Sequence, residues 1–363
     1  MTPPALLLAT VLLVPAAAAL DRLVGDPQTW FHPVQAMGAV IGSLRGPAEA
    51  WAGDRPVRLR LAGLAITLVL VLGSGAAGWG VERLAVILPV LGLPLLLLGL
   101  ASALAGRSLE QAVEAVVAAL PATSLPSGAS TGGSGDPLEP ARERLRWIVG
   151  REVDGLPEGE LLRAAAETAA ENAVDGLFAP LFWMLMGALL LAAAPAEAGW
   201  PGPLALAWAF KAASTLDSML GYRHGRLRWL GTAGARLDDL LVWLPARLVA
   251  LSLPLAAGRP GATGSLWRAA LAEGASDPSP NAGVSQAAFA QAATVRLGGL
   301  NRYASGWRQK PILAASAPPP DQQAVARILA LSRRLELLWL LVGTALVAAV
   351  SALAALADRG TVQ

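Results

Sequence analysis

The chain has 363 residues, 55% of them hydrophobic and 15% charged, where an average soluble domain carries roughly 25% charged residues. That deficit, with a mean hydropathy of +0.52, indicates a polytopic membrane protein and argues against a soluble domain. A net charge of +2 without any basic block excludes a nucleic-acid footprint, and the absence of cysteine excludes disulfides, zinc thiolates and cysteine nucleophiles.

Residues 4–20 are apolar over about the ~17 residues that a minimal spanning helix needs. No Lys or Arg precedes this run, and the acidic segment Asp21-Arg22-Leu23-Val24-Gly25-Asp26-Pro27 follows at once. A retained first helix is therefore expected rather than a signal peptide. Gly25-Asp26-Pro27 is a turn signal, because proline fixes φ and aspartate bonds the backbone ahead of it. Asp26 and His32 read either as a polar cap on that helix or as ligands and proton carriers.

Residues 59–80 and 83–105 are two further candidate spans, with Glu82 and Arg83 expected in the tight connection between them. Residues 121–140 are a Pro/Gly/Ser-rich loop of low complexity, expected to be flexible and dispensable for chemistry. A basic helical stretch runs from Ala141 to Gly150. Pro157 opens another helix, expected to end at the capping glycine Gly176. On it Glu167, Glu171 and Asp175 are spaced four apart and share a stripe. Like charges at that spacing repel. A solvated face tolerates this, and a bound Mg²⁺ would make use of it, since that ion takes one or two carboxylates together with phosphate oxygens.

Residues 177–195 form a fourth span and 201–214 a shorter apolar segment containing Lys211. Lys211, Thr215 and Ser218 share a helical face that resembles phosphate-handling chemistry in outline, although no Gly-rich P-loop is present. Residues 240–257 contain Pro245 and Arg247, which points to a broken or re-entrant helix. There Asp239, Trp243 and Arg247 fall on one stripe. The polar region 258–334 contains Ser279-Pro280-Asn281-Ala282-Gly283, either a helix cap or an anion site. Residues 336–357 form the last span. The fold class expected is thus an all-α polytopic helical membrane protein with cytoplasmic helical loops, one domain over residues 1–363. Arginine is concentrated in the loops 21–58, 106–176 and 258–334, which places those loops on the cytoplasmic side. Charge beside hydrocarbon is costly and marks function, so the candidate site lies between Glu171 and Arg247.

Taken together, the motifs resemble those of the CobD/CbiB family, adenosylcobinamide-phosphate synthase of cobalamin biosynthesis. They are Gly25-Asp26-Pro27 with His32-Pro33-Val34, Val149-Gly150-Arg151, Glu171-Asn172 with Asp175-Gly176, Thr215-Leu216-Asp217-Ser218-Met219 with Gly221-Tyr222, Ala235-Arg236-Leu237-Asp238-Asp239, Pro245-Ala246-Arg247, Ser279-Pro280-Asn281-Ala282-Gly283 and Leu297-Gly298-Gly299. Each is weak alone, and the ordered set is specific. The chain departs from the family pattern at Ala173, where Thr or Ser is usual, and at Val242, where Asn is common. It departs again at Val284-Ser285-Gln286, where Trp-Pro-Glu is usual, and at Ala272-Glu273 and Asp277, which replace an Arg-Asp pair and a His.

The resemblance implies an integral-membrane, ATP- and Mg²⁺-dependent amide ligase in the inner membrane. It would join aminopropanol, or aminopropanol phosphate, to the free propionate of the corrinoid cobyric acid, with the active site facing the cytoplasm. It implies catalytic roles for Glu171, Asp175, Lys211, Asp217 and Asp239, and metal binding by Glu171, Asp175 and Asp238. Substrate would be held by Asp26, His32, Asn172, Thr215, Arg236, Arg247, Ser279 and Asn281. A homo-oligomer, or a complex with other late cobalamin enzymes, is a further expectation. Two rival readings are a transporter built on broken helices and a non-catalytic signalling protein of the AmpE type.

Overall fold

The computed structural model describes residues 3–26, 32–121, 136–194, 199–303 and 306–360. Most of the predicted low-complexity loop, residues 122–135, lies outside them. The described chain is helical apart from one two-stranded antiparallel hairpin. Five of its helices are long and apolar enough to cross a membrane: Pro56–Ile87, Pro89–Ala118, Glu158–Ala193, Thr232–Ala256 and Gln322–Ala357. The chain is therefore a multi-pass membrane protein by length and composition. It divides into two compact units.

The first unit comprises Met1–Arg107, Asp175–Pro245 and Leu337–Gln363. Its helices are α1 (Pro3–Val24), α2 (Pro33–Ala52), α3 (Pro56–Ile87), α4 (Pro89–Ala101), α8 (Ala179–Ala193), α9 (Pro203–Leu220) and the short α10 (Leu227–Leu230), with parts of α5 (Gly106–Ala118), α11 (Thr232–Ala256) and α14 (Gln322–Gly360). Helices α3 and α9 pack along each other, with α2, α4, α8 and α10 around them. Small residues permit this approach. A Cβ on Gly78 would lie 2.8 Å from the Leu204 carbonyl oxygen, and one on Gly63 would lie 1.9 Å from that of Leu230.

The sequence placed Glu82 in a loop. It lies instead inside α3, which continues to Ile87, and its side chain is buried. The carboxylate accepts hydrogen bonds from the N–H groups of Gly202, Leu204 and Ala205 at 2.8, 2.7 and 3.1 Å. It thus caps the N-terminus of α9, where orphan donors and the helix dipole both favour an anion.

The broken helix is present at a different place from the one expected. Helix α11 runs without interruption through Pro245 and Arg247. Proline at position 245 removes the donor for the Leu241 carbonyl, and that carbonyl accepts from Trp183 Nε1 at 3.2 Å instead. The interruption falls between α4 and α5, at Ser102–Ala105. Here the Gly99 carbonyl accepts from Trp208 Nε1 (3.1 Å), Ala105 N–H donates to the Gly176 carbonyl (2.9 Å), and Arg107 N–H donates to Asp21 Oδ2 (3.2 Å). Gly176 does not cap a helix. It sits in a five-residue π-turn, Val174–Phe178, that joins α7 (Glu158–Ala173) directly to α8. A π-turn keeps the helix going while rotating the side chains beyond it.

The second unit comprises Ser108–Val174 and Ala246–Glu336. It contains α6 (Glu139–Arg146), α7, α12 (Thr263–Gly274), α13 (Ala282–Ala293) and a hairpin of β1 (Leu297–Tyr303) with β2 (Gly306–Leu313). The hairpin lies in the polar region 258–334 and is the one departure from helix among the described residues. Its register slips between Leu297 and Gly299. Gly298 has φ +84°, and a Cβ there would lie 1.8 Å from the Pro311 carbonyl oxygen. Only glycine fits such a bulge.

Replacing Glu82 by Ala removes the acceptor from three buried donors, so E82A is expected to unfold with a loss of about 2–3 kcal/mol. E82Q, which keeps one carbonyl oxygen, is expected to fall between E82A and wild type. Thermal unfolding of the detergent-purified protein measures both. Equal stability of E82A and wild type would contradict the capping role.

Candidate active site

In the first unit the predicted groups gather around Lys211 on α9. Its ammonium is within electrostatic reach of the carboxylates of Asp26, Asp175, Asp238 and Asp21. These four come from the end of α1, the π-turn and α11, three stretches far apart in sequence. Asp238 is also close to Asp217 and Asp239, and Arg223 lies near both of those. A carboxylate cluster of this kind is unfavourable unless cations offset it. Lys211 and Arg223 supply two. Asp238 Oδ1 is buried and accepts no hydrogen bond among the described residues.

Several candidates have structural duties here. His32 is the N-cap of α2: its Nδ1 accepts from Val34 N–H at 3.2 Å, and its Nε2 lies 3.5 Å from Asp26 Oδ1. The Thr215 hydroxyl donates to the Lys211 carbonyl at 2.7 Å, and that of Ser218 to the Ser214 carbonyl at 3.0 Å. Both hydroxyl hydrogens are thus spent within α9, leaving only lone pairs for a ligand. Gly221 closes that helix tightly against Asp217, since a Cβ there would meet Asp217 Oδ1 at 2.1 Å. Arg236 is exposed.

The second unit holds a cavity of about 260 Å³. Its wall includes Val149, Gly150 and Arg151, then Glu167, Thr168, Glu171 and Asn172 of α7, Gln286 of α13, Asn301 and Tyr303 of β1, and Lys310 of β2. Glu167 is neutralised twice. Arg151 Nη1 lies 2.6 Å from its Oε2 and Arg163 Nη1 2.9 Å from its Oε1. The same Oε1 accepts from Gly298 N–H (2.8 Å), while the Gly298 carbonyl accepts from Arg163 Nη1 (2.9 Å). The glycine bulge therefore turns both its backbone groups onto one buried ion pair. Asn301 Oδ1 accepts from Arg163 and from Arg151. Arg151 Nη2, also buried, donates to nothing among the described residues.

Glu171 Oε2 accepts from Gln286 Nε2 at 2.6 Å. Lys310 Nζ lies 3.3 Å from Asp277 Oδ2, and Asp277 Oδ1 accepts from Ser279 N–H at 2.9 Å. Burial pushes the Lys310 ammonium down, but the Glu171 and Asp277 carboxylates outweigh this and hold it above the ordinary lysine value. Ser279 Oγ accepts from the N–H groups of Asn281 (3.4 Å), the N-cap of α13, and of Ala282 (3.2 Å), its first residue. Arg247 donates to Asn281 Oδ1 (2.6 Å) and to the Pro280 carbonyl (2.8 Å), tying the motif Ser279–Gly283 to α11.

A family model described as CobD/Cbib protein matches residues 14–332. The chain belongs to the CobD/CbiB family. A cobalamin biosynthesis protein CobD from Synechocystis sp. is 38% identical over 346 residues, covering 95% of this chain and 94% of the relative. A protein of the same name from Chromobacterium violaceum is 36% identical, covering 91% and 94%. A cobalamin biosynthesis protein CbiB from Salmonella typhimurium is also 36% identical, covering 91% and 93%. No solved structure matches the chain.

The departures of this CobD/CbiB chain from the family pattern have definite contacts. Gln286 offers Glu171 a donor where a glutamate would set two carboxylates side by side. Asp277 pairs with Lys310. Glu273 accepts from Gln291 Nε2 (2.7 Å) and from Ala314 N–H (2.8 Å). Asp21, Arg151, Arg223, Gln286 and Lys310 were not singled out as site residues from the sequence. The motif Val149-Gly150-Arg151 was the one available signal for Arg151. Lys310 stood out only as one of two lysines.

A raised lysine pKa means that the ion pair stabilises the folded chain fully below the ordinary lysine pKa of about 10.4 and weakens only above it. The stability gap between wild type and K310M is therefore expected to stay constant from pH 7 to about pH 10 and to shrink beyond. Thermal unfolding across that range checks this. A gap that vanished near neutrality would contradict the pairing.

Proposed function

We propose that this chain is a cobalamin biosynthesis enzyme, an ATP-dependent amide ligase. It joins aminopropanol or aminopropanol phosphate to the free propionate of (adenosyl)cobyric acid, giving (adenosyl)cobinamide or its phosphate. The observation that carries the reading is the assembly of Asp26, Asp175 and Asp238, drawn from three separate motifs, about Lys211 of α9. The names of the relatives supply the pathway, and the residues supply the chemistry.

A carboxylate resists attack by an amine, so ligation needs it activated first, here by phosphoryl transfer from ATP with loss of ADP. The ammonium first gives one proton to a base, the amine nitrogen then attacks the acyl carbon, and phosphate departs as the carbon–oxygen bond breaks, carrying the second N–H proton as the amide forms. Lys211 offsets the negative charge that develops on the phosphoryl and carboxyl oxygens. Asp217 and Asp239 are the carboxylates available to take the proton. Mg²⁺ would be held by Asp175 and Asp238, where it would neutralise phosphate oxygens. The unpartnered Asp238 oxygen fits that ion, which takes one or two carboxylates and completes its shell with water and phosphate. Among the described residues no group of three or more His, Cys, Asp or Glu could hold a metal by itself, so the phosphates would complete the shell. The enzyme is placed in the inner membrane with this site open to the cytoplasm, where ATP is available.

Membranes containing the protein are expected to form ADP only when cobyric acid and the amine are both present with ATP·Mg²⁺. D217N, D239N and K211M are each expected to lower the rate at least ~10²-fold while the protein remains in the membrane. Substrate flux without ATP turnover would mean a carrier. Wild-type activity in one of these variants would remove that residue from the scheme.

A further inference from the structure

The cavity of the second unit contains two features that its own contacts do not explain. The first is the buried Arg151 guanidinium on its wall. Nη1 is committed to Glu167 and Asn301, but Nη2 has no acceptor among the described residues. A buried donor left unpaired costs roughly 1–3 kcal/mol, and such groups in native proteins call for an explanation. The second is Glu171. Gln286 holds one of its oxygens from a neutral amide, the other accepts no hydrogen bond among the described residues, and the Lys310 ammonium lies within electrostatic reach. The wall thus presents a spare guanidinium N–H and a spare carboxylate oxygen, with Lys310 and the Tyr303 ring between strands.

We propose that this cavity binds a short zwitterion of the amino alcohol phosphate class: Arg151 Nη2 takes its anionic end, and Glu171 takes its ammonium. A space of about 260 Å³ lies below the roughly 300–1,000 Å³ typical of drug-sized ligands. It is of a size for an amino alcohol phosphate. The charges fit as well. Glu167 already answers Arg151 and Arg163 through Nη1, and Asp277 answers Lys310, so an incoming phosphate meets a donor and not a bare carboxylate. Gln286 keeps Glu171 in position without adding charge, and Asp277 shares the Lys310 ammonium that faces that carboxylate. The proposal rests on the ligase reading for the identity of the amine, but binding itself can be measured without ATP or corrinoid.

The test is titration calorimetry of the full-length detergent-purified protein with O-phosphoethanolamine, ethanolamine and inorganic phosphate. Wild type is expected to bind O-phosphoethanolamine at least tenfold tighter than ethanolamine, with phosphate as a competitor. R151K retains a charge for Glu167 but lacks the spare N–H, and it is expected to lose that preference. E171Q is expected to weaken O-phosphoethanolamine at least tenfold and to leave phosphate unchanged. E171Q alone decides the matter if R151K does not fold. Equal binding of the phosphorylated and free amines by wild type, or wild-type affinity in either folded variant, would overturn the subsite. These results are independent of turnover. Binding without ADP formation would sink the ligase reading alone, and turnover with unaltered binding in R151K would sink the subsite alone.

Discussion

Backbone groups inside an apolar segment have no water to turn to, and this constraint governs the first unit. Where a helix is interrupted, each freed donor or acceptor must find a partner in the protein. The partners here are specific side chains. Trp183 takes the carbonyl that Pro245 strands, Trp208 takes that of Gly99, and Asp21 and Glu82 take the leading N–H groups of α5 and α9. Acids at these positions are part of the scaffold, although they look like site residues by composition. Lys211, Asp217 and Asp238 serve no such backbone group and meet one another's charges instead.

The second unit relies on a different device. Its acids and arginines are interleaved so that most carboxylates meet a cation, and the glycine bulge at Gly298 inserts its backbone into the central pair of Glu167 and Arg163. Removing one partner from such a network leaves the other buried and uncompensated, which is far more costly than never having the pair. The invasive backbone contact explains why the Leu297-Gly298-Gly299 motif has no side chain of its own to offer.

Much of the fold was legible because hydrocarbon thickness imposes a length. The apolar runs at 59–80 and 336–357 fall within α3 and α14, and residues 177–193 of the run at 177–195 lie in the π-turn and α8. What escaped the sequence was contact across long separations. Glu82 read as a loop residue because a charge normally ends a span, and only the N-terminus of α9, about 120 residues later, gives it a place. Pro245 read as a break because its substitute donor, Trp183, is invisible locally. The hairpin was missed because Leu297–Tyr303 contains two glycines and little alternation, so neither periodicity registers. In the candidate site, the residue types and order were readable from the motifs, whereas Arg151 and Lys310 gained significance only when the hairpin brought them to one wall.

The hairpin also separates two kinds of inheritance. Tyr303 and Lys310, which face the cavity, are carried on a two-stranded ribbon rather than on the membrane helices. A ribbon anchored by its backbone at Gly298 can exchange the Tyr303 side chain without breaking the Glu167–Arg163 pair, which the glycine holds through its own N–H and carbonyl. The lining of the cavity can therefore change by substitution on the ribbon while the buried ion pair beneath it stays as it is.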